Sequence, residues 1–213
     1  MLRYSPQRFR HWSALLLWGV ALLGLAVPKA SAGPGRDSVT VSVGASGGTT
    51  LTRANFNRGF PRPAVPVSSA WAVGLTAGLW LRVALGRRWS FRQSYLYAEA
   101  GGMPQDVALR YRFRYLSLPA QLGYQLTPWL AVEAGPRFDL LLSARQSAPD
   151  AVITHDTEER HLGAMLSFRG RIGRRLGLGL HYVHGLSHVG LGQRSSVREF
   201  KHEWVSLTGD YRF

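Results

Sequence analysis

The 213 residues contain no cysteine, and only two lysines, Lys29 and Lys201, stand among 26 basic residues. Without thiols there are neither disulfides nor thiolate ligands, which excludes a small disulfide-stapled scaffold. Acids are scarce as well: 12 Asp and Glu face those bases, for a formal charge of +14. After Val27 no apolar run approaches the ~20 residues that a membrane helix needs. No later segment keeps an i, i+3, i+4, i+7 apolar stripe over three turns, so a helical bundle is excluded too.

What is present is a period of two. Between Leu116 and Ser143 two alternating arms meet at Thr127-Pro128. The first sets Leu116, Leu118, Ala120, Leu122, Tyr124 and Leu126 against Ser117, Pro119, Gln121, Gly123 and Gln125. The second sets Leu130, Val132, Ala134, Pro136, Phe138, Leu140 and Leu142 against Ala131, Glu133, Gly135, Arg137, Asp139, Leu141 and Ser143. Alternation alone does not say which face is wet, because a soluble sandwich also solvates one side. Length and content decide it. The arms exceed the roughly 5–6 residues of a globular strand and reach the roughly 9–11 of a tilted membrane strand. Their polar face mixes Gly and Ala with Glu, Arg and Asp, as a narrow lumen requires.

Met1–Ala32 has the form of a secretory leader: Arg3, Arg8 and Arg10, then an apolar stretch, then Ala30-Ser31-Ala32. Cleavage after Ala32 leaves 213 − 32 = 181 residues with a charge of (26 − 4) − 12 = +10. The expected organisation is a signal peptide over 1–32 and one barrel domain over 33–213. Export removes the basic chain from nucleic acid, so a nucleic-acid partner is not expected.

The rest of the chain repeats the pattern. Strands are expected at about 38–46, 70–85, 89–99, 109–126, 130–143, 160–172, 176–186 and 198–213, with Gly47, Gly48, Pro61, Pro63 and Pro66 marking a long loop after the first. In the fourth the apolar parity flips at Tyr115-Leu116, and a β-bulge is expected there. Connections are tight after the even-numbered strands, at Gly86-Arg87-Arg88, Thr127-Pro128 and Gly173-Arg174-Arg175, and long after the odd ones. Short periplasmic turns, long outer loops and an even strand number describe a bacterial outer-membrane barrel. The expected fold is therefore all-β: an eight-stranded antiparallel up-and-down transmembrane β-barrel. Aromatic girdles are expected at the turn end (Trp89, Trp129, Tyr211, Phe213) and at the loop end (Tyr97, Tyr111, Phe113, Tyr115, Tyr182). By parity the lumen receives Arg82, Arg92, Arg110, Arg112, Arg114, Arg137, Arg169, Arg171 and Arg212 against Glu133, Asp139 and Asp210, with Glu133, Arg137 and Asp139 near the centre of a plug.

The run RYLSLPAQLGYQL…LAVEAGPRFDLLLSA resembles the central hairpin of the PorT-like outer-membrane β-barrel domain. The terminal Tyr211-Arg212-Phe213 is similar to the aromatic signal read by the barrel-assembly machinery. The resemblance implies a porin-like small barrel of Gram-negative bacteria and supplies no catalytic residues.

Sites with chemistry are few. His184, Ser187 and His188 with Glu199 and Glu203 hold the parts of a Ser–His–acid site, such as an outer-membrane lipid A deacylase uses. His155, Asp156, Glu158, Glu159 and His161 could ligate a metal, but their spacing satisfies no compact template and reads as a solvated loop. No catalytic, cofactor or metal residue is assigned. The expectation is a monomer in the outer membrane, in contact with lipid and lipopolysaccharide, with a side-chain-filled lumen and no catalysis. The alternatives are a small anion-preferring channel, a lipid A deacylase and a soluble lipocalin-like barrel. The last should show many surface Lys and Glu, which this chain lacks.

Overall fold

Alternating apolar and small or polar residues give long strands, and in the computed structural model eight of them close on each other. The structure describes residues 39–58, 68–104, 110–147, 150–153, 160–191 and 198–213. The expected leader lies outside them. The long strands are β1 (Thr40–Asn55), β3 (Ala72–Leu85), β4 (Trp89–Pro104), β5 (Tyr111–Thr127), β6 (Leu130–Ser147), β8 (Arg160–Ile172), β9 (Leu176–Gly185) and β11 (Arg198–Arg212). Three short ones, β2 (Ser69–Ala70), β7 (Asp150–Val152) and β10 (Val189–Leu191), pair antiparallel with the loop ends of β4, β6 and β11. Each long strand pairs antiparallel with the next, and β1 pairs with β11 from Gly44↔Arg212 to Asn55↔Lys201, so no edge is left open. A closed ladder satisfies every backbone group without water, which is what lets strands cross hydrocarbon. No helix among the described residues is long and apolar enough to do so.

The faces are inverted relative to a soluble domain. Outside stand Val73, Leu75, Leu79, Leu122, Phe168, Leu180 and Leu207, all exposed, while Glu133, Arg137 and Asp139 are 1–3 % exposed inside. Three tight turns, at 86–88, 128–129 and 173–175, lie at one end. Gly86 and Gly173 take φ of +74° and +68° there, a region that only glycine enters freely. Trp89, Trp129, Tyr211 and Phe213 ring the belt at this end, as expected.

Three expectations are corrected. The first strand does not stop at Ser46 but continues through Gly47-Gly48 to Asn55. These glycines are not breakers: Gly48 lets β1 lie against β11, where a Cβ would come 2.0 Å from the Leu207 carbonyl oxygen. The bulge is real but sits on the other strand. Arg114 pairs with Ser143 and Tyr115 with Leu141, so the extra residue is Leu142 of β6, while β5 runs against β4 without a shift in that region. β5 therefore keeps one parity throughout, with Phe113 and Tyr115 buried in line with Ser117 and Gln121. The third correction follows from the second. Arg112 and Arg114 lie on the outer wall, not in the lumen, and Tyr111, Phe113 and Tyr115 belong to the interior, not to a girdle. Tyr97 and Tyr182 mark the outer edge of the belt as expected, and Trp71 joins them.

Candidate functional site

The lumen is the candidate site, and strand parity delivers its side chains in layers. Nearest the turns, β8 supplies Arg169, β6 Glu133, β11 Asp210 and β4 Arg92. Arg169 Nε donates to Glu133 at 3.0 Å and its Nη1 to Asp210, while Arg92 Nη2 donates to Asp210 at 3.2 Å. The Arg92 guanidinium stacks over Trp80 at 4.2 Å, and Trp80 Nε1 donates to the Ala45 carbonyl. Above them is an uncharged layer: Gln121 donates to Ser167 at 2.7 Å, and the His181 imidazole joins Ser167 (2.8 Å) to Thr208 (2.9 Å). Next comes a second ionic group. Asp139 accepts from Arg137 Nε (2.8 Å), from Ser117 Oγ and from His161 Nδ1 (3.2 Å), and Arg137 lies 3.9 Å over the Trp204 ring.

The centre predicted from sequence is thus partly assembled. Arg137 and Asp139 do pair, but Glu133 bonds Arg169 in the other cluster. Glu133 and Arg137, four residues apart on β6, share a face yet stand about 13 Å apart along the strand, so they sit in separate layers. Of the nine lumen arginines expected, Arg82, Arg92, Arg137, Arg169, Arg171 and Arg212 take the inward parity; Arg110 lies just before β5 and is exposed.

Toward the outer end the lumen turns dry. Phe113, Tyr115, Phe200, Trp204 and Val189 are 0–1 % exposed and pack with Ala54, Ala98, Ala100 and Ala144. His202 lies in the middle of this group, 4.8 Å centroid to centroid from Phe200 and 5.5 Å from Phe113, His161 and Trp204. Tyr115 Oη meets His202 Nε2 at 3.2 Å. This seal is not legible from apolar parity, because here the apolar side chains point to the lumen and not to lipid. Its one available signal was Phe200, His202 and Trp204 recurring at a spacing of two on the lumen parity of the last strand.

The wall above the belt is charged. Glu203 accepts from Asn55 Nδ2 (3.0 Å) and is bridged by Arg53, with Arg58 at 3.8 Å; Arg114 bridges Glu99 at 3.4 Å. Arg112 of β5 and Arg145 of β6 are exposed register partners, and among the described residues neither has a carboxylate partner. They border a notch of about 280 Å³ with Arg110, Gln146 and Ser147.

The candidate triad does not assemble among the described residues. Ser187 Oγ accepts from the Leu162 backbone at 2.9 Å, His188 Nε2 meets the Arg58 carbonyl at 3.2 Å, and His184 contacts Tyr182 and Arg58. Glu203, next to His184 in register, is occupied by Arg53 and Asn55. Of the candidate metal residues, 155–159 lie outside the described residues, and His161 is inside the barrel on Asp139.

Residues 34–190 match a family profile described as the outer membrane protein beta-barrel domain. A search of curated proteins finds no match. Among solved structures, the attachment invasion locus protein Ail of Yersinia pestis aligns at 14 % identity and a TM-score of 0.48, covering 81 % of this chain and 99 % of that one. Neisserial surface protein A aligns at 10 % and 0.49, covering 83 % and 99 %. OprG from Pseudomonas aeruginosa aligns at 9 % and 0.47, covering 83 % and 97 %.

Proposed function

The chain belongs to the outer membrane protein beta-barrel domain family, and from that premise we propose a sealed, monomeric barrel that serves as a scaffold and binds at its outer surface without catalysing a reaction or conducting ions. Its place is the outer membrane. Within the family, the hairpin around Leu116–Ser143 supports the finer PorT-like assignment. The leader over 1–32 and recognition of Tyr211-Arg212-Phe213 by the assembly machinery are parts of the same reading.

The observation that carries the proposal is the dry seal. Eight strands leave room for little beyond side chains, and here Phe113, Phe200 and Trp204 fill the outer half with carbon. An ion crossing it would lose its hydration against rings that offer few polar groups in return. Purified protein in a planar bilayer should be silent at low voltage. Stable, ohmic, anion-selective steps would overturn the seal and favour the small-channel reading.

The surface partner that fits is lipopolysaccharide. Arg112 and Arg145 face each other directly across β5 and β6, an arrangement that destabilises a sheet unless an anion lies between them. Arginine forks bind phosphate bidentately, and these two stand just above Leu116 and Leu142, at headgroup height. Replacing both with Glu should lower the lipopolysaccharide retained on purification several-fold with heat-modifiable migration intact. Unchanged retention would remove this partner from the proposal.

A further inference from the structure

At the end opposite the seal, the lumen opens to the periplasm through a cavity of about 90 Å³, several times the space that one water needs. Its charges do not balance. Arg82, Arg92 and Arg169 reach it from within the barrel, and Arg171, Arg174, Arg175 and Arg212 stand at its rim. Only Glu133 and Asp210 oppose them, so the lining holds 7 − 2 = +5. Asp210 is already shared between Arg92 and Arg169, and Glu133 is bonded by Arg169 through Oε2, with its Oε1 buried without a hydrogen-bond partner among the described residues.

Arg82 is the residue left over. It stands opposite Arg92 in the β3–β4 register with both side chains on the inward parity, a like-charged pair that costs stability in a sheet. Among the described residues its one hydrogen bond reaches Gln125 Oε1 at 3.4 Å, a weak contact with a neutral amide. The Nε atoms of Arg82 and Arg92 are both buried without a hydrogen-bond partner among the described residues. At the rim, Arg171 donates to the Pro128 carbonyl and Arg175 to Tyr211, whereas neither Arg174 nor Arg212 has an acidic partner among the described residues.

From this geometry we infer a binding site for phosphate, free or as a small phosphate monoester, at the periplasmic mouth, held chiefly by Arg82, Arg92 and Arg212. A cavity of this size with a surplus of five charges suits a compact divalent oxyanion better than a monovalent halide. Guanidinium forks supply paired N–H donors that match its oxygens, and the low-dielectric wall strengthens each bond. The seal makes the site a dead end, so phosphate enters and leaves from the periplasm and is bound, not passed through.

The test uses the refolded barrel in an uncharged detergent at constant ionic strength. Calorimetric titration with inorganic phosphate should show saturable one-to-one binding, and the thermal midpoint should rise with phosphate but not with chloride. Arg82→Gln and Arg212→Gln should each weaken binding by about tenfold, the effect of one charge-assisted contact. Arg174→Gln, in the exposed turn and harmless to folding, should weaken it less, and Arg145→Gln on the outer wall should leave it unchanged. Heat-modifiable migration confirms that each variant is folded. Equal stabilisation by chloride would overturn the site, as would equal loss in Arg145→Gln or no saturable binding by the folded wild type.

Discussion

Asp139→Ala should destabilise the folded barrel by about 3–5 kcal/mol, the usual cost of removing one partner from a buried ion pair. Asp139 is 1 % exposed and accepts from Arg137, Ser117 and His161 together. Alanine would leave the Arg137 guanidinium, itself 3 % exposed, with the Ser117 hydroxyl and the Trp204 ring as its remaining partners. Urea titration of refolded protein in detergent reads the loss as a lowered midpoint at unchanged slope. The double change Arg137→Met with Asp139→Leu removes both charges at similar volume and should recover much of it. If Asp139→Ala costs less than about 1 kcal/mol, the cluster is wetter than its burial indicates.

Gly48→Val should block closure of the barrel. The new Cβ would lie 2.0 Å from the Leu207 carbonyl oxygen and 2.7 Å from the Thr208 Cα, both backbone atoms that cannot turn aside. The cost exceeds the roughly 1–3 kcal/mol of ordinary overpacking, because the seam between β1 and β11 must open to admit the side chain. Gly47 offers a control one residue away. It faces outward, and its Cβ would meet only the Thr76 carbonyl oxygen at 3.9 Å, so Gly47→Val should assemble normally. Deleting Phe213, whose amide donates to the Val43 carbonyl across the same seam, should give an intermediate loss. The readout is the heat-modifiable fraction recovered in the outer membrane. Equal recovery for Gly47→Val and Gly48→Val would sink the seam argument.

These two sites show where the sequence could be read and where it could not. In Trp71–Leu85 and Leu162–Ile172 the faces are legible because the outward parity is apolar or glycine throughout, against lipid. In Arg110–Tyr115 the same rule pointed the wrong way. There the lumen itself is apolar, so parity identifies two faces but not which is inside, and only the pairing with β4 and the extra Leu142 in β6 decide it. Gly47-Gly48 misled for a related reason: a glycine required by a close neighbouring strand is indistinguishable, along the chain, from one that ends a strand. The lumen charges were legible as a set through parity. Their partners were not, since Glu133 meets Arg169 of β8 and Asp210 meets Arg92 of β4, and such pairings follow from strand stagger around the barrel.

The seal has one more consequence, for protons. From the mouth inward the lumen presents groups that can pass a proton along: Glu133 and Asp210, then Ser167 and His181, then Asp139 and His161. The series ends at the bond between Tyr115 and His202. Beyond it the side chains of Phe113, Phe200 and Val189 offer neither a donor nor an acceptor. A proton that enters at the mouth therefore meets a wall of apolar side chains before the outer side.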